Sequence, residues 1–251
     1  MPLGKMDIVA LLAQQKPGAR YLELCTPTTG NDFNSLERRN LSVVHRMMYR
    51  CHPDYSDGGK IDFRTKGLDI KPCIDQFRGG GHRYDIILVD SWHGYHTSAR
   101  DLRVAYGLLK PGGFMVVHDC FPVTLEQTTP MFIRGAWCGQ TYRAYLNFVC
   151  ARPGLTYCTV DTDFGCGVIR KPAHRLSVQS TPLSSADSNL KAGLPSPHAD
   201  CWAQWAALQG RSGGAFRLFM KYKPELSNLV TAADFPRWLS GQVAPLADKK
   251  R

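Results

Sequence analysis

No window of the 251 residues approaches the eighteen or so consecutive apolar residues that a membrane helix requires. The opening stretch MPLGKMDIVALLAQQKPGAR lacks the apolar core and small-residue cleavage site of a secretory signal, so the chain is expected in the cytoplasm with no membrane partner. C-x-x-C pairs are absent too. The nine cysteines are odd in number and scattered from Cys25 to Cys201, which argues against a zinc knuckle or a disulfide framework and for free, buried thiols in a reducing compartment. No internal repeat is present, and a hydrophobic content of 43% excludes a fully disordered chain.

What the sequence has in excess is positive charge. Lys and Arg number 31 against 21 Asp and Glu, a net +10 that raises the question of a polyanionic partner. From Arg170 onward there are 12 basic and 5 acidic residues, so any nucleic-acid contact is expected in this tail. No helix-turn-helix, ribonucleoprotein or zinc-finger signature accompanies the charge, so nucleic acid is not the expected partner and a solvated basic surface is the plainer reading.

Periodicity gives the organisation. Asp7 to Gln15 reads as a short helix stopped by Pro17-Gly18, and Tyr21 to Leu24 as a strand running into a polar loop whose Asn31 or Asp32 caps a helix through Phe33, Leu36 and Arg39. Leu41 to Met48 and Ile61 to Thr65 read as strands, and Ile70 to Phe77 as a short helix. Tyr84-Asp85-Ile86-Ile87-Leu88-Val89-Asp90 is the strongest signal, a near-continuous apolar run ending in a carboxylate, as expected of a central parallel strand. A helix from Thr97 to Leu109 stops at Lys110-Pro111-Gly112-Gly113, and a strand Phe114 to Asp119 follows. Ala136 to Cys150 is helical in pattern, and Thr156 to Val160 with Gly165 to Arg170 form a hairpin. Repeated strand–helix units predict an α/β fold, a mostly parallel sheet with helices on both faces and a terminal antiparallel hairpin.

This places one domain over 1–172, a Ser/Pro-rich linker over 173–199 and a basic, partly helical extension over 200–251, with helices expected in Cys201 to Leu208 and Phe216 to Trp238. In such sheets ligands collect beyond the carboxyl ends of the strands. The residues there are Glu23 to Gly30, Asp90 to Tyr95 and His118 to Phe121.

With Tyr84 to Asp90, His93, Tyr95, Asp101, Leu109-Lys110-Pro111-Gly112-Gly113 and His118-Asp119, the chain resembles the class I S-adenosylmethionine-dependent methyltransferases, particularly the small-molecule enzymes, over about residues 20 to 170. The resemblance implies a Rossmann-like doubly wound fold, S-adenosylmethionine as cofactor, and methyl transfer to a hydroxyl or amine of a small, sugar-containing or other, acceptor. It implies cofactor contacts from Glu23, Cys25, Thr26, Gly30, Asp69 and Asp90, with Asp90 facing the methionine ammonium. Two departures stand out. The usual glycine-rich turn after the first strand is Glu23-Leu24-Cys25-Thr26-Pro27-Thr28-Thr29-Gly30 here, and the acid at the end of the second strand is missing from His45-Arg46-Met47-Met48-Tyr49-Arg50. Asp54 is positioned by the sequence to reach back in its stead.

His93 is the candidate base for the acceptor proton, with Asp119 beside it in the catalytic group, although a loop-fixing role for the imidazole is equally open. Strand alternation predicts that His118 points away from Asp119. Asp90 and Asp119 alone do not define a magnesium site, and Trp92 stands where metal-dependent relatives carry another acid, so no metal ligand is assigned. Trp92, Tyr95, Phe121, Trp137 and Tyr142 are candidates for lining an acceptor pocket. The rival readings are a non-catalytic scaffold on the same fold and an RNA methyltransferase.

Overall fold

A computed structural model describes residues 3–27, 31–152, 154–173, 199–208 and 214–243. Its centre is an eight-stranded sheet ordered β3-β2-β1-β4-β5-β7-β6-β8. The strands are β1 (Ala19–Cys25), β2 (Leu41–Met48), β3 (Phe63–Arg64), β4 (Tyr84–Asp90), β5 (Leu109–Val117), β6 (Thr156–Asp161), β7 (Cys166–Arg170) and β8 (Leu229–Thr231). β1 to β5 are mutually parallel, β7 runs antiparallel between β5 and β6, and β8 lies parallel to β6. The fold is therefore the expected Rossmann-like, doubly wound α/β arrangement with its antiparallel hairpin.

All seven residues of β4 are buried, because both faces of the sheet are covered. One face packs against α2 (Lys71–Gly79), α3 (Tyr95–Leu108), α4 (Thr141–Cys150), α5 (Ala199–Ala207), α6 (Ala215–Lys221) and α7 (Lys223–Ser227). The other is closed by α1 (Lys5–Gln14), whose Ile8, Val9, Leu12 and Ala13 form a buried stripe, and by α8 (Phe235–Val243). Cys201, Trp202, Trp205, Phe219 and Leu226 share one core with Val117 and Tyr145, and Phe235 and Leu239 join the other.

Several expected elements take another form. The helix expected through Phe33 and Arg39 is only a 3-10 turn, Asn31–Ser35, because β2 begins at Leu41 and leaves no room for further turns. Phe33 and Leu36 still serve as buried anchors. Ile61 to Thr65 pairs only through Phe63–Arg64. The Leu109-Lys110-Pro111-Gly112-Gly113 segment is not a separate turn but the bulged start of β5, whose register shifts between its pairs Tyr84–Leu109 and Ile86–Phe114. Gly112 takes φ +75° there, which glycine reaches at little cost. The helix expected from Ala136 starts at Thr141, and the long helix expected over Phe216 to Trp238 is broken at Tyr222 and at Asn228, which adopts φ +46°, into α6, α7, β8 and α8.

Candidate functional site

The carboxyl ends of β4 and β5 lie side by side, and each delivers an aspartate and a histidine. Asp90 closes β4, and Ser91-Trp92-His93-Gly94 carries the chain into α3. His93 is 6% exposed and its Nδ1 lies 2.8 Å from the Trp137 carbonyl oxygen. A carbonyl only accepts, so the proton sits on Nδ1 and Nε2 is turned inward. Nε2 is 3.0 Å from Asp119 Oδ2 and 3.6 Å from Asp90 Oδ1, without a well-formed hydrogen bond to either. Gly139 packs so closely on this loop that a Cβ there would lie 2.4 Å from the His93 carbonyl oxygen.

β5 ends at Val117, so the alternation expected for His118 and Asp119 no longer applies. Asp119 adopts φ +61°, a conformation costly for a non-glycine residue and a feature of functional sites, and its turn brings both side chains to the same place. His118 Nδ1 lies 3.0 Å from Asp119 Oδ2 and 3.4 Å from Asp90 Oδ1, and its Nε2 lies 3.2 Å from Asp163 Oδ1 in the β6–β7 turn. The expectation that His118 faces away is corrected. From the first turn of α1, Lys5 inserts its ammonium 2.6 Å from Asp90 Oδ2 and 2.9 Å from Asp32 Oδ2.

These charges set each other's protonation. Burial opposes a charge on Asp90, but His118 and Lys5 outweigh it and hold the carboxyl well below its ordinary value. Burial likewise disfavours charge on both imidazoles, yet Asp119 and Asp90 raise His93, and the same two with Asp163 raise His118 well above the usual histidine range. Asp163 is pulled down to about 2, chiefly by its hydrogen bond to His118. A cavity of about 440 Å³ opens beside the cluster, lined in part by Gly4, Lys5, Asp32, Ser35, Thr162 and Asp163.

The remaining expected residues are distributed differently. Glu23 is fully buried in β1, where Tyr21 donates its hydroxyl to Oε2 at 3.0 Å and Arg46 Nε stands 4.0 Å from Oε1. Cys25 is buried with its thiol toward the Met47 carbonyl oxygen at 3.8 Å, and Thr26 is buried just beyond β1. Asp69 is exposed and accepts the Lys71 amide at 2.9 Å, which fixes the entry to α2 and keeps it out of the cluster. Gly30 lies outside the described residues. At the end of β2 the missing acid is replaced by buried Arg46, packed over the Phe33 ring, and the residue that reaches back to it is Asp57 at 2.7 Å. Asp54 instead faces solvent beside His52.

Of the expected acceptor-side aromatics, Trp92 and Trp137 stand beside His93, with ring centroids 4.9 Å apart and Phe132 against both. Tyr142 and Phe121 pack on Phe219 in the core. Tyr95 accepts a hydrogen bond from Asn147. Lys5, Asp32 and Asp163 escaped sequence reading, because each sits in an element whose only visible signal is a helix start or a turn.

No family model and no curated protein matches the chain. Among solved structures it is similar to an O-methyltransferase from Bacillus cereus in complex with SAH, at 16% identity over 66% of this chain and 78% of that one, with a TM-score of 0.45. It is also similar to the O-methyltransferase TomG from Streptomyces achromogenes in complex with SAM, at 16% identity over 66% and 78% and a TM-score of 0.46. Cofactor-bound Rv0187 from MTB gives 14% identity over the same shares and a TM-score of 0.47. Identities this low leave the chemistry to be argued from the residues themselves.

Proposed function

We propose that the chain is a class I S-adenosylmethionine-dependent methyltransferase acting on a hydroxyl of a small molecule. The observation that carries this reading is the buried His93, its proton fixed on Nδ1 by Trp137 and its Nε2 aimed at the mouth of β4 and β5. The residues also fit the cofactor. Asp90 holds the primary ammonium of Lys5 at 2.6 Å, so its carboxylate suits a cation of that kind, and the methionine ammonium would take that place once Lys5 withdraws. Asp90 and the buried Cys25 and Thr26 at the end of β1 would hold the amino-acid portion.

When bound, the cofactor supplies an activated methyl group, so the protein's share is alignment and removal of the acceptor proton. In its neutral form, which the neighbouring carboxylates shift to more alkaline pH, His93 takes that proton at Nε2. Proton removal by a positioned base is typically worth about 10²–10⁴ in rate, and Asp119 and Asp90, 3.0 and 3.6 Å away, stabilise the imidazolium that results. The rim of Trp92, Phe132 and Trp137 supports an acceptor with an apolar or aromatic face. The nine buried cysteines, none in a disulfide, support a reducing cytoplasm, and no helix among the described residues is long and apolar enough to cross a membrane.

Calorimetric titration with S-adenosylmethionine and S-adenosylhomocysteine tests the reading. Micromolar binding, about −8 kcal/mol, that Asp90→Asn abolishes and His93→Ala retains is the expected result. Absence of binding by the unaltered protein would refute it in favour of a scaffold.

A second reading of the same cluster is favoured by one geometric fact. Asp90, His93 and Asp119 each offer a ligand atom within 4.8 Å of the others, and His93 is anchored through its other nitrogen as metal-bound imidazoles are. These three residues would hold a divalent cation, which supplies Lewis acidity when bound, and His93 would then be a ligand rather than the base. A Co²⁺ titration of chelator-treated protein separates the two, since ligation gives visible d–d absorption that His93→Ala removes.

A further inference from the structure

On the α2/α3 side of the sheet lies a second cavity, of about 260 Å³, lined by Ile74, Arg78, Arg83, Arg100, Arg103 and Val104 with Gly107 and Leu108. Half of its lining is arginine and none is acidic. Arg83 immediately precedes β4, so the cavity sits near the end of that strand opposite Asp90, about 20 Å away at ~3.3 Å per residue. It is therefore separate from the cluster described above.

One nearby carboxylate neutralises one of these arginines, and the others are committed elsewhere. Asp75 pairs with Lys71 at 2.5 Å, Asp69 fixes the start of α2, and Asp101, buried beside the Tyr49 hydroxyl, neutralises Arg100 at 2.7 Å, which leaves Arg78, Arg83 and Arg103 without a carboxylate partner among the described residues. The crowding of positive charge extends past the cavity: Arg152, stacked 3.7 Å over the Phe148 ring, is pulled below the ordinary arginine value by burial and by neighbouring Arg103. Like charges gathered without counter-ions cost stability unless an anion joins them. Guanidinium forks suit phosphate oxygens, and the apolar floor of Ile74, Val104 and Leu108 suits a flat or apolar group attached to that phosphate.

We propose that this cavity is a second binding site, for the phosphate of a nucleotide, carried either free or within an RNA strand. The charge excess noted in the sequence is thereby put to use in the α/β domain itself rather than in the tail. The proposal stands on the cavity alone and survives if the methyltransferase reading fails.

The test uses the full chain with two probes, ADP and a fluorescein-labelled single-stranded RNA, and the variant Arg78→Ala/Arg103→Ala, both positions being exposed and remote from His93. Wild-type protein is expected to bind at least one probe, and the double variant to bind it at least 10-fold more weakly while its S-adenosylmethionine titration matches wild type. For RNA, the slope of log K against log salt should fall by about 1.4 when two phosphate contacts are lost. ADP that binds and displaces the RNA assigns the cavity to nucleotides of either source, whereas RNA binding that ADP leaves untouched assigns it to the strand. The proposal is overturned if wild type binds neither probe, if the double variant binds as wild type does, or if only Arg217→Ala/Lys221→Ala in α6 weakens RNA binding.

Discussion

Glu23→Gln offers a stability measurement whose sign changes the usual intuition about carboxylates. Glu23 is fully buried in β1, and burial is the largest influence on it. Arg46 opposes that influence from 4.0 Å without overcoming it, its guanidinium also being committed to Asp57 at 2.7 Å, and Asp90 adds repulsion. The result is a carboxyl pushed from 4.5 to about 7. In the unfolded chain the group titrates near its ordinary value, so between the two values the native state binds the extra proton and stability falls as pH rises. Below the unfolded value both states are protonated and the group is neutral in the balance; above the folded value the whole cost, about 3 kcal/mol at ~1.4 per pH unit, is present. Glutamine keeps the shape and still accepts the Tyr21 hydroxyl without ever ionising. Urea unfolding from pH 5 to 8.5 should therefore show the variant within about 1 kcal/mol of wild type at the acid end and more stable by roughly 2–3 at the alkaline end. A difference that stays constant across the range would refute the assignment of a neutral, buried Glu23.

Lys5→Met should cost about 3 kcal/mol or more by urea unfolding, because it strips Asp90 of a cation in a buried site, and adding Asp90→Asn should recover part of that loss; strictly additive effects would contradict the pairing. Gly139→Ala forces a Cβ against the His93 carbonyl at a position of φ +56°, so a loss of at least about 2 kcal/mol in calorimetric stability is expected, and a neutral result would mean the loop is not held as described. Asp69→Ala should lower stability by about 0.5–1 kcal/mol through the entry to α2 and leave the S-adenosylmethionine affinity within twofold, whereas a large affinity loss would restore Asp69 to the cofactor site.

The sheet was legible where burial alone dictates sequence. Tyr84–Asp90 occupies the residues its pattern indicates because a strand covered on both faces tolerates few polar side chains, Leu41–Met48 also falls where expected, and the β6–β7 hairpin matches to within a residue. His93, Asp90 and Asp119 were legible as strand-end residues, and the structure brings them together. The partners that give them chemistry were not. His118 was misplaced because alternation holds only inside a strand, and Asp119 leaves β5 through a left-handed residue that no periodicity announces. Lys5 and Asp163 reach the cluster from about 85 and 45 residues away along the chain, and nothing local to either marks the encounter. The replacement of Asp54 by Asp57 at Arg46 belongs to the same class, since a long loop fixes which carboxylate returns only once it has folded.

The pairing of β8 with β6 has a consequence for the order in which the molecule can be completed. Leu229 to Thr231 lies beside Thr159 to Asp161, about 70 residues earlier, and Asn228 and Tyr157 lock the two with hydrogen bonds in each direction around the junction. Until that late segment emerges from the ribosome, β6 presents an open rim of unpaired amides and carbonyls to the crowded cell, the kind of surface on which neighbouring chains nucleate. A ribosome-bound nascent chain halted before Leu229 should therefore recruit holding chaperones that the completed chain sheds, which makes the closing of the sheet a checkpoint in biogenesis as well as an architectural detail.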